Sequence, residues 1–151
     1  MRRPLMAAAV LSALALWAGA ATAGPVPALS SAPTGFTCAF TTVSTPNDAI
    51  ECSWDVLAEA TKYSVDVLAN YDLGVVGGSV SAEFDFGTQL TTIVIPLSSF
   101  PTDINTDGNP DTLTSLVLRV KGLAPPGRQA SNQHNPFSSP TITCTIGGTC
   151  S

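Results

Sequence analysis

Short segments in which apolar and polar residues alternate dominate the chain, and this pattern constrains the fold more than any other feature. Alternation with a period of two is typical of β-strands with one buried face, whereas an amphipathic helix repeats about every 3.6 residues. Turn residues separate the segments, and no helical period is sustained. The alternating segments lie at residues 36–40, 50–56, 63–67, 80–86, 91–97, 116–121 and 141–146. Six or seven short strands at this spacing predict an all-β protein, an antiparallel β-sandwich.

The start of the chain is a different kind of segment. Two arginines precede an almost uncharged apolar stretch over residues 5–21, and small residues follow it. This stretch is shorter than the roughly 20 residues that span a bilayer. We therefore interpret residues 1–23 as a signal peptide cleaved after Ala23, and not as a retained membrane anchor. The prediction is a secreted or periplasmic protein without membrane insertion after cleavage.

The exported part is acidic and has the size of one domain. Without residues 1–23 the chain has 128 residues and a net charge of −7. Nucleic-acid binders need a concentrated basic face, so this balance argues against a nucleic-acid partner. The predicted organisation is a flexible lead-in at 24–32, a domain at 33–146 and a C-terminal tail at 147–151 that contains Cys150.

All four cysteines lie in the exported part, and an oxidising compartment makes two disulfides the expected state. Four cysteines allow three disulfide pairings, and the phase of the strands favours one of them. A hairpin around residues 44–47 would place Cys38 opposite Cys52, at bridging distance. This arrangement leaves Cys144 to pair with Cys150. A zinc site is the weaker alternative, because no C-x2-C pair is present.

Two stretches of the sequence resemble strands of a fibronectin type III domain. Residues 50–54 (IECSW), followed by 62–65 (KYSV), resemble the second and third strands with their core tryptophan and tyrosine. Residues 118–122 (LRVKG) and the Pro-Gly turn after them resemble the sixth strand and the loop to the last strand. The resemblance covers roughly residues 32–146 and implies a seven-stranded, immunoglobulin-like sandwich used as a spacer or binding module. The expected core positions are Trp54, Tyr63, Leu118 and Val120.

The sequence departs from this family in two ways. The tyrosine that usually lies near the start of the sixth strand is replaced by Leu116. The family also usually lacks disulfides, so the predicted Cys38 to Cys52 bridge would take over part of the stabilisation, about 2 to 4 kcal/mol. An immunoglobulin domain is less compatible, because it needs a cysteine on the sixth strand, and residues 116–122 contain none.

An acidic loop is the segment with the clearest chemical pattern. In residues 103–111, Asp, Asn and Asp alternate before a glycine, as in calcium loops of the EF-hand kind. The loop also resembles those of dockerin and thrombospondin type 3 repeats. However, Thr114 takes the place of the bidentate carboxylate at the twelfth position, and no helices flank the loop. The alternative is a turn between the fifth and sixth strands that is rich in Asn, Asp and Gly. The candidate ligands are Asp103, Asn105, Asp107, Asn109 and Asp111.

Three other segments carry weaker signals. The glycine-rich residues 74–79 lack the lysine and helix of a phosphate loop and predict a turn. A hydrolase triad would depend on the single histidine, His134, but no nucleophile-elbow motif accompanies it. Residues 125–129 form either a recognition loop around Arg128 or a solvated turn.

The sequence therefore predicts a secreted non-enzymatic module that binds an unidentified protein or surface ligand, or serves as a structural unit, and requires no cofactor. The alternative is a calcium-dependent adhesion or cell-surface assembly module whose loop at 101–114 becomes rigid when calcium binds. A secreted hydrolase is the third hypothesis.

Overall fold

The computed structural model describes residues 31–74, 77–123 and 138–151. The predicted signal peptide and nearly all of the lead-in lie outside these residues, as do His134 and the loop at 125–129.

Seven antiparallel strands in two sheets make up the described part of the chain, which confirms the prediction of an all-β protein. A short 3-10 helix, Leu97–Ser99, follows the fifth strand. The strands are β1 (Thr37–Thr41), β2 (Ala49–Ser53), β3 (Lys62–Asp72), β4 (Ser79–Thr88), β5 (Thr92–Pro96), β6 (Thr112–Leu123) and β7 (Ile142–Thr145).

One sheet has the order β1-β2-β5, and the other has the order β4-β3-β6-β7. The ladder between β3 and β6 lies at the centre of the four-stranded sheet and involves every residue of β3. Its register shifts between Asn70 and Tyr71, which pair with Ser115 and Leu113, so that Thr114 is an extra residue in β6. Such a β-bulge bends the strand locally.

The inward faces of the two sheets share one apolar core. Alternate residues of β3 point into it, and the rings of Trp54 and Tyr63 meet edge to face with their centroids 5.3 Å apart. The Phe84 and Phe100 rings meet in the same way at 5.1 Å. The four residues that the sequence places in the core, Trp54, Tyr63, Leu118 and Val120, are at most 5% exposed.

The second strand is shorter than its sequence pattern predicts. The alternation continues to Val56, but β2 ends at Ser53 and Val56 is 77% exposed. Beyond Ser53 the chain turns toward β3, and the Leu57 N–H donates a hydrogen bond of 2.8 Å to the Tyr63 hydroxyl. Leu57 is buried and, like Trp54 before it, belongs to the core.

Two disulfides join the four cysteines, in the pairing that the phase of the strands favours. Cys38 lies directly opposite Cys52 in the β1–β2 ladder and is bonded to it. Cys144 of β7 is bonded to Cys150. Beside this bridge the N–H and C=O groups of Thr143 and Ser151 exchange hydrogen bonds of 2.9 and 3.0 Å. The C-terminal tail therefore covers the outer edge of β7.

We expect the Cys38 to Cys52 bridge to contribute more stability than the other. Its sequence separation is 14 residues against 6, and a longer loop loses more entropy when it is closed in the unfolded chain. Replacing both cysteines of the longer loop by alanine should lower the free energy of unfolding by about 3 kcal/mol, and the other pair by somewhat over 2 kcal/mol. Urea unfolding of the two double variants measures both values. A greater loss from the Cys144 and Cys150 pair would contradict this loop-length argument.

Asp48 holds the turn between β1 and β2. Its carboxylate accepts hydrogen bonds from the backbone N–H groups of Val43, Ser44 and Thr45, at 2.8, 2.8 and 2.7 Å. These bonds, the one from Val43 first, lower the pKa of Asp48 from 3.8 to about 2. In this turn the Asp48 carboxylate thus accepts backbone hydrogen bonds of the kind that a neighbouring strand accepts within a sheet.

The stability supplied by Asp48 should depend on pH in the acid range. Because its pKa is lower in the folded state, its contribution is complete above pH 3.8 and is lost as the pH falls toward 2. Asp48→Asn should therefore lower the melting temperature at about pH 6 and lower it less at about pH 2. Thermal unfolding at both values measures the difference, with Glu59→Gln as a control for loss of one charge. A deficit that is equal at both pH values would contradict this assignment.

Candidate functional site

The outer face of the four-stranded sheet gathers charged side chains from three strands. Asp66 of β3 lies opposite Asp85 of β4 on one side and opposite Arg119 of β6 on the other. Ser64 lies opposite Lys121, one step along the same face. Because side chains alternate between the faces of a strand, these residues point away from the core. We call Ser64, Asp66, Glu83, Asp85, Arg119 and Lys121 the charged face.

Asp66 is the centre of the charged face, because it pairs with two cations. Its Oδ2 lies 3.2 Å from Arg119 Nε, and its Oδ1 lies 2.8 Å from Lys121 Nζ. The Arg119 side chain is 52% exposed, whereas that of Lys121 is only 18% exposed. Solvent weakens exposed ion pairs, so the bond to Lys121 is the more sheltered of the two. Asp66 consequently holds both cations on the β6 side of the sheet.

The β4 side of the charged face has an excess of negative charge. The buried Ser64 hydroxyl donates a hydrogen bond to Asp85 Oδ1 and lies 3.2 Å from Asp66 Oδ1. Within the described residues, no cationic group lies within ion-pair distance of Asp85 or Glu83. These two carboxylates are therefore open to a cation from outside the described chain.

The charged face lines an open depression of about 440 Å³. Its volume is within the range of small-ligand sites, and its lining combines charged side chains with apolar ones. Separate positive and negative sides suit recognition of a polar partner through ion pairs and hydrogen bonds. Leu68, which is 37% exposed, supplies an apolar contact on the same face.

The charged face is absent from the sequence-based predictions. The local signal is the placing of polar residues at alternate positions in 62–66 and 119–121. That signal shows which residues point outward, but the pairing of Asp66 with Arg119 depends on the register of strands that are 53 residues apart.

The acidic loop at 103–111 is held together by its own side chains. Asp103 accepts hydrogen bonds from the N–H groups of Asp107 and Gly108, at 3.2 and 2.9 Å. The Asn105 side-chain oxygen accepts one from Asp107 N–H at 3.0 Å, and Asp107 accepts one from Asn109 N–H at 2.8 Å. The oxygens predicted to bind calcium therefore converge on the backbone of the loop.

Asp111 connects this loop to the protein interior. It is 8% exposed, and its Oδ2 accepts a hydrogen bond of 2.8 Å from Ile104 N–H. Its Oδ1 is buried without a hydrogen-bond partner among the described residues. Burial and, after it, the negative charge of Asp111 raise the pKa of Tyr71 on β3.

Thr114, at the twelfth position of the calcium pattern, lies outside the loop. Thr114 belongs to β6, and its hydroxyl donates to the Asn70 carbonyl oxygen at 2.9 Å. Within the described residues, no group of three or more His, Cys, Asp or Glu side chains is arranged to hold a metal ion. Calcium binding by Asp103, Asn105, Asp107, Asn109 and Asp111 stays a prediction.

Comparison with known proteins finds no matching family model, no matching curated protein and no matching solved structure. Among the described residues, no helix has the length and apolar character needed to cross a membrane. The two disulfides agree with an oxidising compartment.

The calcium hypothesis predicts a specific response of the loop. Calcium at about millimolar concentration should release heat on binding and raise the melting temperature, because it would join oxygens from separate positions of the loop. Asp107→Asn should weaken both effects, since it removes one ligand charge and keeps an oxygen acceptor. Asp72→Asn is the matched control, because Asp72 also accepts a backbone hydrogen bond in a turn. The absence of heat and of a melting shift would contradict the hypothesis.

Proposed function

We propose that this chain is a secreted, non-enzymatic β-sandwich module of the fibronectin type III kind, which acts by binding a protein or a surface ligand. The signal-peptide pattern and the two disulfides support export to an oxidising compartment. The motifs around Trp54 and Tyr63 support the family assignment, since both side chains lie in the core as the resemblance implies.

Strand order favours this family over a constant-type immunoglobulin domain. In the latter, the fourth strand joins the sheet of the first two strands, whereas β4 here extends the sheet of β3 and β6. Immunoglobulin domains also join their two sheets by a disulfide. Here Cys38 and Cys52 lie within one sheet, and Cys144 and Cys150 hold the tail at the other.

One observation carries the proposal of binding: the contrast between the interior and the charged face. The core residues of both sheets are apolar side chains and two half-cystines, and the disulfides restrain the frame around them. The charged face instead presents ions of both signs on the outer side of the four-stranded sheet. A rigid frame with an exposed polar surface supports recognition with little loss of entropy on binding.

The calcium-dependent adhesion or assembly module remains the alternative, and it depends on the loop at 103–111. The observation in its favour is the convergence of Asp103, Asn105 and Asp107 side-chain oxygens on the backbone N–H groups of residues 107–109. The hydrolase hypothesis depends on His134, which lies outside the described residues.

The proposed function is tested with the exported protein, tagged at its N-terminus and with its disulfides intact. We expect saturable binding to the native secretome or cell-surface fraction, competed by untagged protein. Asp66→Asn should weaken this binding, because it breaks both ion pairs of the charged face. Glu51→Gln is the matched control, since Glu51 is exposed on the central strand of the other sheet.

Two outcomes would contradict this function. One is a lack of saturable binding by the folded protein. The other is turnover of an ester, peptide or glycoside substrate that His134→Ala abolishes, which would favour the hydrolase.

A further inference from the structure

β4 is a long edge strand with one side unpaired in the described structure. It has 10 residues, and each of them pairs with β3 on the other side without a shift in register. β4 stands at the end of its sheet, so no strand of the described chain follows it. An edge of this kind presents free backbone N–H and C=O groups to any extended segment nearby.

The other three edges of the two sheets are short or covered. β1 and β5 have five residues each, and β5 ends at Pro96, which cannot donate a hydrogen bond. β7 has four residues, and the C-terminal tail covers its outer edge through Thr143 and Ser151. β4 contains no proline, no lysine and no bulge, which are three common means of protecting an edge.

The side chains of β4 define what kind of strand could pair with it. Phe84 and Phe86 pack against the core on one face. Glu83 and Asp85 project from the other face, and neither forms an ion pair with a cation of the described chain. Arg119 and Lys121, which are on the same face, both pair with Asp66. The exposed edge is therefore negatively charged.

This charge disfavours a second copy of the chain as the partner. Two β4 strands could pair antiparallel with their outer faces on the same side of the joint sheet. Two registers of this pair give the largest number of paired residues. In one register Glu83 lies opposite Asp85 of the other copy, and in the second it lies opposite Glu83 of the other copy. Like charges directly opposite one another destabilise a strand pair. Lysine or arginine at alternate positions of a different chain would instead meet both carboxylates with opposite charge.

We propose that the β4 edge binds an extended segment of a partner protein as an additional strand of the sheet, and that this segment alternates basic and apolar residues. The backbone hydrogen bonds would supply affinity, and ion pairs to Glu83 and Asp85 would set the register. The depression beside β4 gives space for the long basic side chains. This inference rests on the proposed binding function and specifies its surface and its partner class.

The experiment uses two synthetic peptides with the 10-residue length of β4. In one peptide lysine alternates with valine, and in the other glutamate alternates with valine. The lysine peptide should bind the exported protein, and the glutamate peptide should not. Glu83→Lys should weaken binding of the lysine peptide by about tenfold at low salt, because an attractive cross-strand pair becomes a repulsive one. Glu51→Lys makes the same change of charge on the other sheet and should alter the affinity less than about twofold.

Hydrogen exchange locates the bound peptide. Protection should increase at residues 79–88 and remain unchanged at β7, whose edge the tail already covers. Equal binding of the two peptides, equal effects of Glu83→Lys and Glu51→Lys, or protection away from β4 would each overturn the proposal. So would a dimer of the free protein that protects β4, because a second copy would then occupy the edge.

The binding measurement and the hydrogen-exchange measurement together separate this inference from the proposed function. If the exported protein binds its native fraction saturably but the lysine peptide does not protect β4, the edge assignment fails and the binding function stands. If saturable binding to the native fraction is also absent, both fail.

Discussion

The ladder between β3 and β6 is the interaction on which the rest of the structure depends. It pairs every residue of β3 and lies between the two outer strands of its sheet. One face of the ladder supplies Val65, Val67 and Leu118 to the core, and the other supplies Asp66 and Arg119 to the charged face. Because side chains alternate along a strand, a slip of one residue would exchange the two faces. Burial of the apolar face therefore also fixes the positions of the charges.

Much of the fold could be predicted from local sequence patterns. Alternation within each segment locates the seven strands, and the phase of Cys38 and Cys52 indicates their opposition across a hairpin. The start of β6 could not be found in this way. The bulge at Thr114 places two inward residues, Leu113 and Leu116, three positions apart, and this spacing interrupts the period of two.

The candidate site was less accessible to sequence analysis than the fold. Register between strands that are distant in the chain brings Asp66, Arg119 and Asp85 together, and this register results from packing of the whole core. The acidic loop, in contrast, is contained in one short segment and is visible in the sequence. Its hydrogen bonds show why the two interpretations of that segment are hard to separate. The same oxygens that suit a cation also satisfy the N–H groups of a tight turn.

The oxidation state of the Cys144 to Cys150 disulfide bears on which edges of the four-stranded sheet are accessible. Only a few backbone hydrogen bonds and the Cys144 to Cys150 bond hold the tail against this strand. Reduction of that bond would remove the covalent restraint on the tail, while β4 is already uncovered at the opposite end of the same sheet. A sheet open at both ends can be extended head to tail by further copies, and a β7 to β4 contact would not place Glu83 opposite itself. With the disulfide intact, the tail occupies the outer edge of β7 and leaves β4 as the uncovered edge of this sheet within the described chain.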